Sequence, residues 1–474
     1  MNRARFSNRQ STVPPWFWLG VVALWSIALG LRFWGLERFN TLVFDEVYFA
    51  QFGHNYLTHT PFFDAHPPLG KYLIAMGIWL QGFNPWGYRW MNALTGSFIP
   101  IIVVGLGVEL TRRYSFALLA GALTVLDGLL LVESRYGLIN VYLLAFGLLA
   151  HWLTLLSVDQ RGWKHWAMLT LAGLSFGAAA AVKWTGLGFL LGLYLFWAIG
   201  QFVRIGQKGA QTSSEIPLQK MLRLSFFFKL FIFIPLVGAA LYSLLWIPHL
   251  LQNPEFGFIE VHQQMFGYHK RVGSGPSIHP YCSSLLTWPL MLRPVSYFYQ
   301  LASSLQEAMP MTGPPLAFDK AKYIYSVYAI GNPPLWWATT VAIALVIGKT
   351  LWQVTQAGWR AVQTAAQTAR PFSPERHYLP LYLTTSYAAH LLPWLSISRC
   401  AFLYHYMPAY LFSSLALAWV LDAWLPSKNR PLRILSLVVI ALTMLGFLFW
   451  LPLYLGLPIS PREWQWHTWF PSWI

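Results

Sequence analysis

Runs of about twenty apolar residues recur along this chain, near positions 16–36, 92–110, 115–132, 138–157, 166–182, 185–203, 224–247, 333–352, 379–397, 401–421 and 432–457. Each is long enough to cross the roughly 30 Å hydrocarbon core of a bilayer as a helix. A helix is also the form in which such a segment satisfies its own backbone without water. The expectation is therefore an all-α polytopic membrane protein with about eleven transmembrane helices. Composition closes the alternatives. Only 10% of the 474 residues are charged and 56% are apolar, whereas a soluble domain carries roughly a quarter charged residues and a disordered chain is more polar still.

The formal charge of +16 would point to nucleic acid in a soluble protein. In a membrane protein its meaning depends on where the cations sit. With the N-terminus in the cytoplasm and alternating helices, Arg3, Arg5, Arg9, Arg112, Arg113, Arg161, Lys164, Arg204, Lys208, Lys220, Arg223, Lys349, Arg360, Arg370, Arg376, Lys428, Arg430 and Arg433 all fall on the inner side. They are more than half of the 32 basic residues, the bias expected of cytoplasmic loops. The charge then reads as topology in a cell membrane, with no nucleic-acid partner. The first run reads as an uncleaved signal anchor, and the Trp-rich tail 461–474 lies outside. Three regions result: 1–247, which includes a first outer segment at 37–91; a second long outer segment at 248–332; and a four-helix region at 333–474. Inner loops are short apart from 201–223 and 353–376, so chemistry is expected at the outer face.

Only 16 residues are acidic, and two stand side by side just past the first helix. Asp45 and Glu46 in FDEVYF are set among aromatic residues at a membrane interface, where mutual repulsion and lost solvation raise the proton affinity of one carboxylate. Such a group can serve as a general base near neutral pH. A plain solvated loop is the bland reading, and the apolar setting argues against it. Asp64, His66 and Lys71 follow in FFDAHPPLGK, where the two prolines also suit a stiff turn entering an interfacial helix. Arg135 in ESRY lies at the outer end of a span, where it calls for a salt bridge to Glu133 or Asp45 or for a bound anion. Lys183 in AVKWTG lies between two spans and could equally be a snorkelling anchor. In the second outer segment His279, Tyr281 and Arg293 fall within one compact stretch; aromatic clusters there are interface belts by default. Asp127 and Glu109, near span ends, would suit a transporter, but no internal repeat accompanies them. Cys282 and Cys400 rule out a disulfide scaffold, and whether they pair is left open. The thirteen His show no metal-ligand spacing.

FDEVYFAQFGHNYLTHTPFFDAHPPLGKYL (44–73) closely resembles the first outer loop of the protein O-mannosyltransferases, membrane enzymes of the GT-C glycosyltransferase class. LDGLLLVESRYGLIN (126–140), AVKWTG (181–186), HPYCSSLLTWPLMLRPVSYFY (279–299), GNPPLWW (331–337) and SRCAFLYHYMPAYLF (398–412) follow in the family's order. The resemblance implies a GT-C fold, a polyprenyl-phosphate mannose donor, and secreted or periplasmic protein acceptors. It implies that Asp45 is the family's catalytic acidic residue and Glu46 its acidic neighbour at the acceptor site. Arg135 is implied to hold carboxylates or donor phosphate, with Lys183, His66 and Lys71 organising the donor side and His279, Tyr281 and Arg293 a further donor or acceptor loop. Two departures stand out. Eukaryotic members carry a β-trefoil MIR domain in the second outer segment, which here is about eighty residues and too short for one. The family's ESRY-like segment ends in Leu-Asp, where this chain has Asn140.

The residue inventory suits that chemistry on its own terms. A lipid phosphate is a good leaving group, so an acceptor hydroxyl needs a base and the departing phosphate needs cations. No cofactor is called for beyond the lipid-linked donor, and the carboxylate pair leaves room for a divalent cation. The nearest rival is a GT-C enzyme that glycosylates a lipid or a glycan; a transporter is the rival from another class.

Overall fold

The computed structural model describes residues 13–205, 215–275, 277–305, 314, 316–362 and 373–474; Arg3, Arg5, Arg9, Lys208 and Arg370 lie outside them. The chain is mostly helical. In order it forms α1 (Pro15–Phe33), α2 (Glu46–Leu57), α3 (Leu69–Gln81), α4 (Pro85–Thr111), α5 (Tyr114–Val125), α6 (Gly128–Arg135), α7 (Asn140–Ser157), α8 (Gly162–Val182), α9 (Leu187–Ile205), α10 (Pro217–Met221), α11 (Ile234–Gln252) and α12 (Phe258–Arg271). Strands β1 (Val295–Ala302) and β2 (Tyr323–Ala329) follow, then α13 (Pro333–Val362), α14 (Pro374–Leu391), α15 (Met407–Trp424), α16 (Arg430–Leu455), β3 (Pro458–Ile459) and α17 (Pro461–His467).

Every apolar run falls on a helix. Among the described residues, eight helices are long and apolar enough to cross a membrane, and nine if the bent pair α5–α6 counts as one. The other two runs lie largely on α14 and α15. Each has 18 residues, as the spanning helix α7 does, but their buried faces carry polar groups such as Thr385, Ser386, Ser413 and Asp422. The α5–α6 break of 61° follows from Asp127, whose carboxylate caps α6 by accepting from Leu130 N at 2.6 Å. Asp127 thus has a local structural duty, as has Glu109, which pairs with Arg112 at 2.8 Å.

The loops sort to two ends of the bundle. At one end Arg112 and Lys220 converge on Asp159, and Arg113 pairs with Glu375 at 2.6 Å. At the other end the segments 37–91 and 248–332 interlock: Tyr56 bonds His249 at 2.7 Å, Asn253 accepts from Phe62 N at 2.7 Å, and His269 reaches Ala65 O at 2.9 Å. The first segment is no open loop, because α2, α3 and the start of α4 occupy more than half of it. α3 begins directly after Pro67-Pro68, as a proline-led helix start should.

One feature departs from an all-α reading. β1, β2 and β3 form an antiparallel sheet in that order, with Val295 opposite Ala329 and a register break between Ser296 and Phe298. Its β1 stretch, VSYFYQLA, alternates poorly between buried and exposed positions, so no period of two marks it as a strand. Cys282 and Cys400 are disulfide-bonded, with Cα atoms 5.1 Å apart.

Candidate active site

Asp45 is the N-cap residue of α2, yet its side chain makes no capping hydrogen bond. It is turned instead toward Lys183 and the Tyr404 hydroxyl. Phe44 sets this direction by taking φ +52°, a left-handed conformation that costs a bulky residue energy. It is held there by a parallel stack on Tyr297 at 4.3 Å and by edge contacts with His279, Phe402 and Tyr404. Burial pushes the Asp45 carboxyl up to about 6, opposed by Lys183 and Tyr404 and assisted by Asp64.

Glu46 points the other way. It is fully buried, as is Arg89. Arg89 grips it twice, Nε to Oε1 at 2.8 Å and Nη2 to Oε2 at 2.7 Å, and Gly137 N and Val43 N donate to the same carboxylate at 2.6 and 2.8 Å. The remaining Arg89 donors take the carbonyls of Leu36, Phe39 and Thr41. All five guanidinium hydrogens are therefore committed, between the rings of Tyr88 and Tyr136. Gly137 has to be glycine, since a Cβ there would sit 2.7 Å from Tyr88 O. Glu46 is thus placed as the peg of the loop that presents Asp45, with no wall of the cavity formed by it.

Arg135 is likewise structural in its contacts. Its guanidinium donates to the carbonyls of Leu31, Arg32, Trp34 and Gly35 at 2.7–3.1 Å, satisfying acceptors that the end of α1 leaves open. It pairs with neither Glu133 nor Asp45. Lys71 ties the turn before α3 by bonding Asp64 at 2.5 Å and the carbonyls of His66 and Pro67. Arg293 holds Pro280 O and Ser472 O and lies over Tyr281. His279, Tyr281 and Arg293 brace the aromatic shell behind Phe44, and none of them lines the cavity.

The cavity measures about 600 Å³ and has two characters. His66, Lys183, His269, Arg399 and His405 form its polar end; the rest is mostly apolar, with Leu187, Leu190, Leu191, Tyr194, Phe266 and Ile397 beside Thr185, His390 and Ser396. Burial and the nearby cations push the His66 imidazole well below its ordinary range, so it is neutral at physiological pH. Lys183 sits at the break after α8 and donates to Asn140 Oδ1 at 2.9 Å, with its ammonium 5.4 Å from the Tyr404 ring centre. Asn140 in turn donates to Glu133 Oε2 at 3.1 Å, and the Tyr297 hydroxyl bonds the other Glu133 oxygen. Asn140, the departure from the family pattern, is therefore the bridge that relates a buried carboxylate to the site lysine. Asn140→Leu keeps the branched outline of the side chain but orphans one bond from each neighbour, Lys183 and Glu133. It should lower stability by roughly 2–3 kcal/mol and cut transfer activity, measured by thermal melting in detergent beside initial rates.

Several site residues carried no signal of their own: Arg89, Glu133 as a site member, Tyr297, Tyr404, His269, Arg399 and His405. Arg399, Tyr404 and His405 lie inside a motif that resembles the family, but nothing in the chain order places them opposite Asp45.

Comparison with known proteins accounts for almost the whole chain. A model for dolichyl-phosphate-mannose-protein mannosyltransferase matches residues 22–86 and 82–252, and one for the C-terminal four TMM region of protein-O-mannosyltransferase matches 256–473. The chain belongs to the protein O-mannosyltransferase family. It is 25% identical to a polyprenol-phosphate-mannose–protein mannosyltransferase of Mycolicibacterium smegmatis, over 96% of this chain and 92% of the relative. The structure of the Saccharomyces cerevisiae protein O-mannosyltransferase Pmt1-Pmt2 complex bound to the sugar donor shares the fold at TM-score 0.77 and 16% identity, over 98% of this chain and 93% of that one. ArnT from Cupriavidus metallidurans, solved with undecaprenyl phosphate, shares it at TM-score 0.51 and 12% identity, over 93% and 76%. The protein is thus a multi-pass membrane glycosyltransferase with the GT-C fold.

Proposed function

We propose that this mannosyltransferase moves mannose from a polyprenyl-phosphate donor to Ser or Thr hydroxyls of exported polypeptides, in one inverting displacement at the anomeric carbon with Asp45 as the base. The observation that carries the reading is the placement of Asp45. A carboxylate raised to about 6 faces Lys183, which lies on the wall of a cavity that is cationic at one end and apolar along the rest. The apolar part suits a prenyl chain, and the cationic end suits its phosphate. In the step, the acceptor oxygen bonds the anomeric carbon while the bond from that carbon to the phosphate oxygen breaks. The hydroxyl proton passes to Asp45, and the electron pair leaves with the polyprenyl phosphate, whose developing charge Lys183 balances, while Arg399 holds the phosphate equally before and during transfer. His66 and His269 line the same end and orient the donor as neutral or weakly basic hydrogen-bonding groups.

We place this end of the bundle at the outer face of the cell membrane. The opposite end gathers the short loops with Arg112, Arg113, Arg161, Lys164, Lys220 and Arg223, the pattern of a cytoplasmic side.

The assay is purified protein with a polyprenyl-phosphate mannose and a Thr-rich peptide. Mannose recovered on lipid and never on peptide would sink the acceptor assignment. The pH profile is a second check. A base must be deprotonated and the Lys183 cation protonated, so kcat/KM should fall roughly tenfold per unit below about 6 and fall again above about 8, where burial has brought the Lys183 ammonium. The charged and titratable groups around Asp45 are Lys183, Tyr404, Asp64 and Glu133, and Lys183→Met should move the midpoint upward by removing the cation that favours the carboxylate.

A further inference from the structure

The Cys282–Cys400 bond lies beside the proposed donor site and joins two stretches that regular structure does not hold. One is the strap between α12 and β1; the other is the irregular segment 397–402 that leads toward α15. Besides the bridge, Ser283 Oγ donates to Ala401 O at 3.3 Å and the Phe402 ring meets His279 edge-on at 5.0 Å. Cys400 N donates to Gly273 O at 2.8 Å, and Ala401 O accepts from Ser283 N at 2.8 Å. The residue just before the bridge is Arg399. Its side chain borders the 600 Å³ cavity together with Lys183 and His66, and it also borders a second hollow of about 360 Å³ whose wall includes both cysteines. The guanidinium lies over Trp394 at 5.6 Å and donates to Cys400 O at 3.1 Å. Among the described residues no carboxylate pairs with it. A cation without a counter-ion on the wall of a cavity is prepared for an anionic ligand, but here it is carried by a stretch with no helix or strand to fix it.

We propose that the Cys282–Cys400 disulfide is a positioning clamp. It holds Arg399 on the cavity wall, and through Arg399 it sets the affinity for the phosphate of the lipid-linked donor. The inference rests on the donor reading above and adds to it a covalent determinant far away in sequence. Opening the bridge frees 397–402 to sample conformations in which the guanidinium leaves the wall, and the donor must then order it again on binding. The chemistry of transfer at Asp45 lies on another element and is not touched by this loss. The effect therefore belongs in KM for the donor rather than in kcat.

The experiment uses the full-length protein in detergent, a polyprenyl-phosphate mannose and a Thr-rich peptide. Initial rates are measured against donor concentration for the oxidised protein, for protein reduced by a water-soluble phosphine, and for C282S/C400S. In the reduction two electrons from the phosphine convert the disulfide to two thiols, and the phosphine leaves as its oxide with oxygen from water; a thiol count of two confirms it. Opening the bond by either route should raise donor KM about tenfold with kcat changed less than about twofold. R399Q should raise KM to a similar degree, and opening the bond in R399Q should add less than about twofold, because residues acting as one unit are not additive. A KM unmoved by reduction and by C282S/C400S would overturn the clamp. So would an equal rise in wild type and R399Q, which marks a general staple of the fold. If C282S/C400S fails to fold, the reduced wild type decides; if the phosphine cannot reach the bond, the double variant decides. Oxidised wild type that transfers no mannose from this donor would overturn the functional reading itself, an outcome distinct from the other two.

Discussion

Asp45→Asn should lower the transfer rate at pH 7.5 by roughly two to four orders of magnitude, the usual worth of a positioned base, while leaving the protein folded. The separation of the two effects follows from the geometry. Asp45 occupies the N-cap of α2 but does not cap it, so the amide costs the helix little. The side chain is partly exposed at the site, so the substitution buries no new polar group. What disappears is the capacity to take a proton beside Lys183. Donor KM should change little, because the cations on the cavity wall remain. An Asp45→Asn protein with more than a tenth of wild-type kcat and an unchanged melting temperature would remove Asp45 from the mechanism.

Arg89→Met should have the largest effect on stability of any single substitution in the site region, about 3–5 kcal/mol. It leaves the Glu46 carboxylate buried at 0% exposure with its bidentate partner gone, and it also abandons the carbonyls of Leu36, Phe39 and Thr41. Glu46→Gln should destabilise through the same contact, since its amide hydrogens would face the Arg89 guanidinium or Gly137 N. The double variant Arg89→Met/Glu46→Leu should recover part of the loss, because it removes both charges rather than stranding one. Thermal melting and limited proteolysis in detergent provide the measurement. A melting temperature for Arg89→Met within a degree or two of wild type would show that the pair does not hold the loop. With Asp45→Asn, this makes a sharp contrast between adjacent residues: loss at 45 appears in kcat, and loss at 46 appears in folding.

That contrast was not legible in the chain. Two adjacent carboxylates read from sequence as one site, because adjacency says nothing about direction. At a helix start successive side chains diverge, and with Phe44 in a left-handed conformation Asp45 turns to Lys183 and Tyr404 while Glu46 turns to Arg89. The same limit applies to the cations. Arg135 at the end of a span reads as an anion ligand or a salt-bridge partner, since a buried guanidinium needs acceptors. The acceptors it finds are four backbone carbonyls at the end of α1, which no sequence pattern announces. Arg399 went unmarked because its meaning comes from neighbours more than two hundred residues away.

What the sequence determined alone was the solvent and the family. The apolar runs dictate a membrane-spanning helical chain, because desolvating the backbone leaves few other options. The motifs from FDEVYF to SRCAFLYHYMPAYLF carry the resemblance that the family comparison bears out. What only the tertiary structure decided was the division of labour among the few charges. Desolvation makes each buried charge expensive, so each is committed to one partner or one surface. Which partner depends on long-range packing: Glu46 with Arg89, Glu133 with Asn140 and Tyr297, and Arg399 beside the disulfide. The small sheet and the Cys282–Cys400 bond belong to the same class, since both join segments distant in the chain and become definite only when helices bring them together.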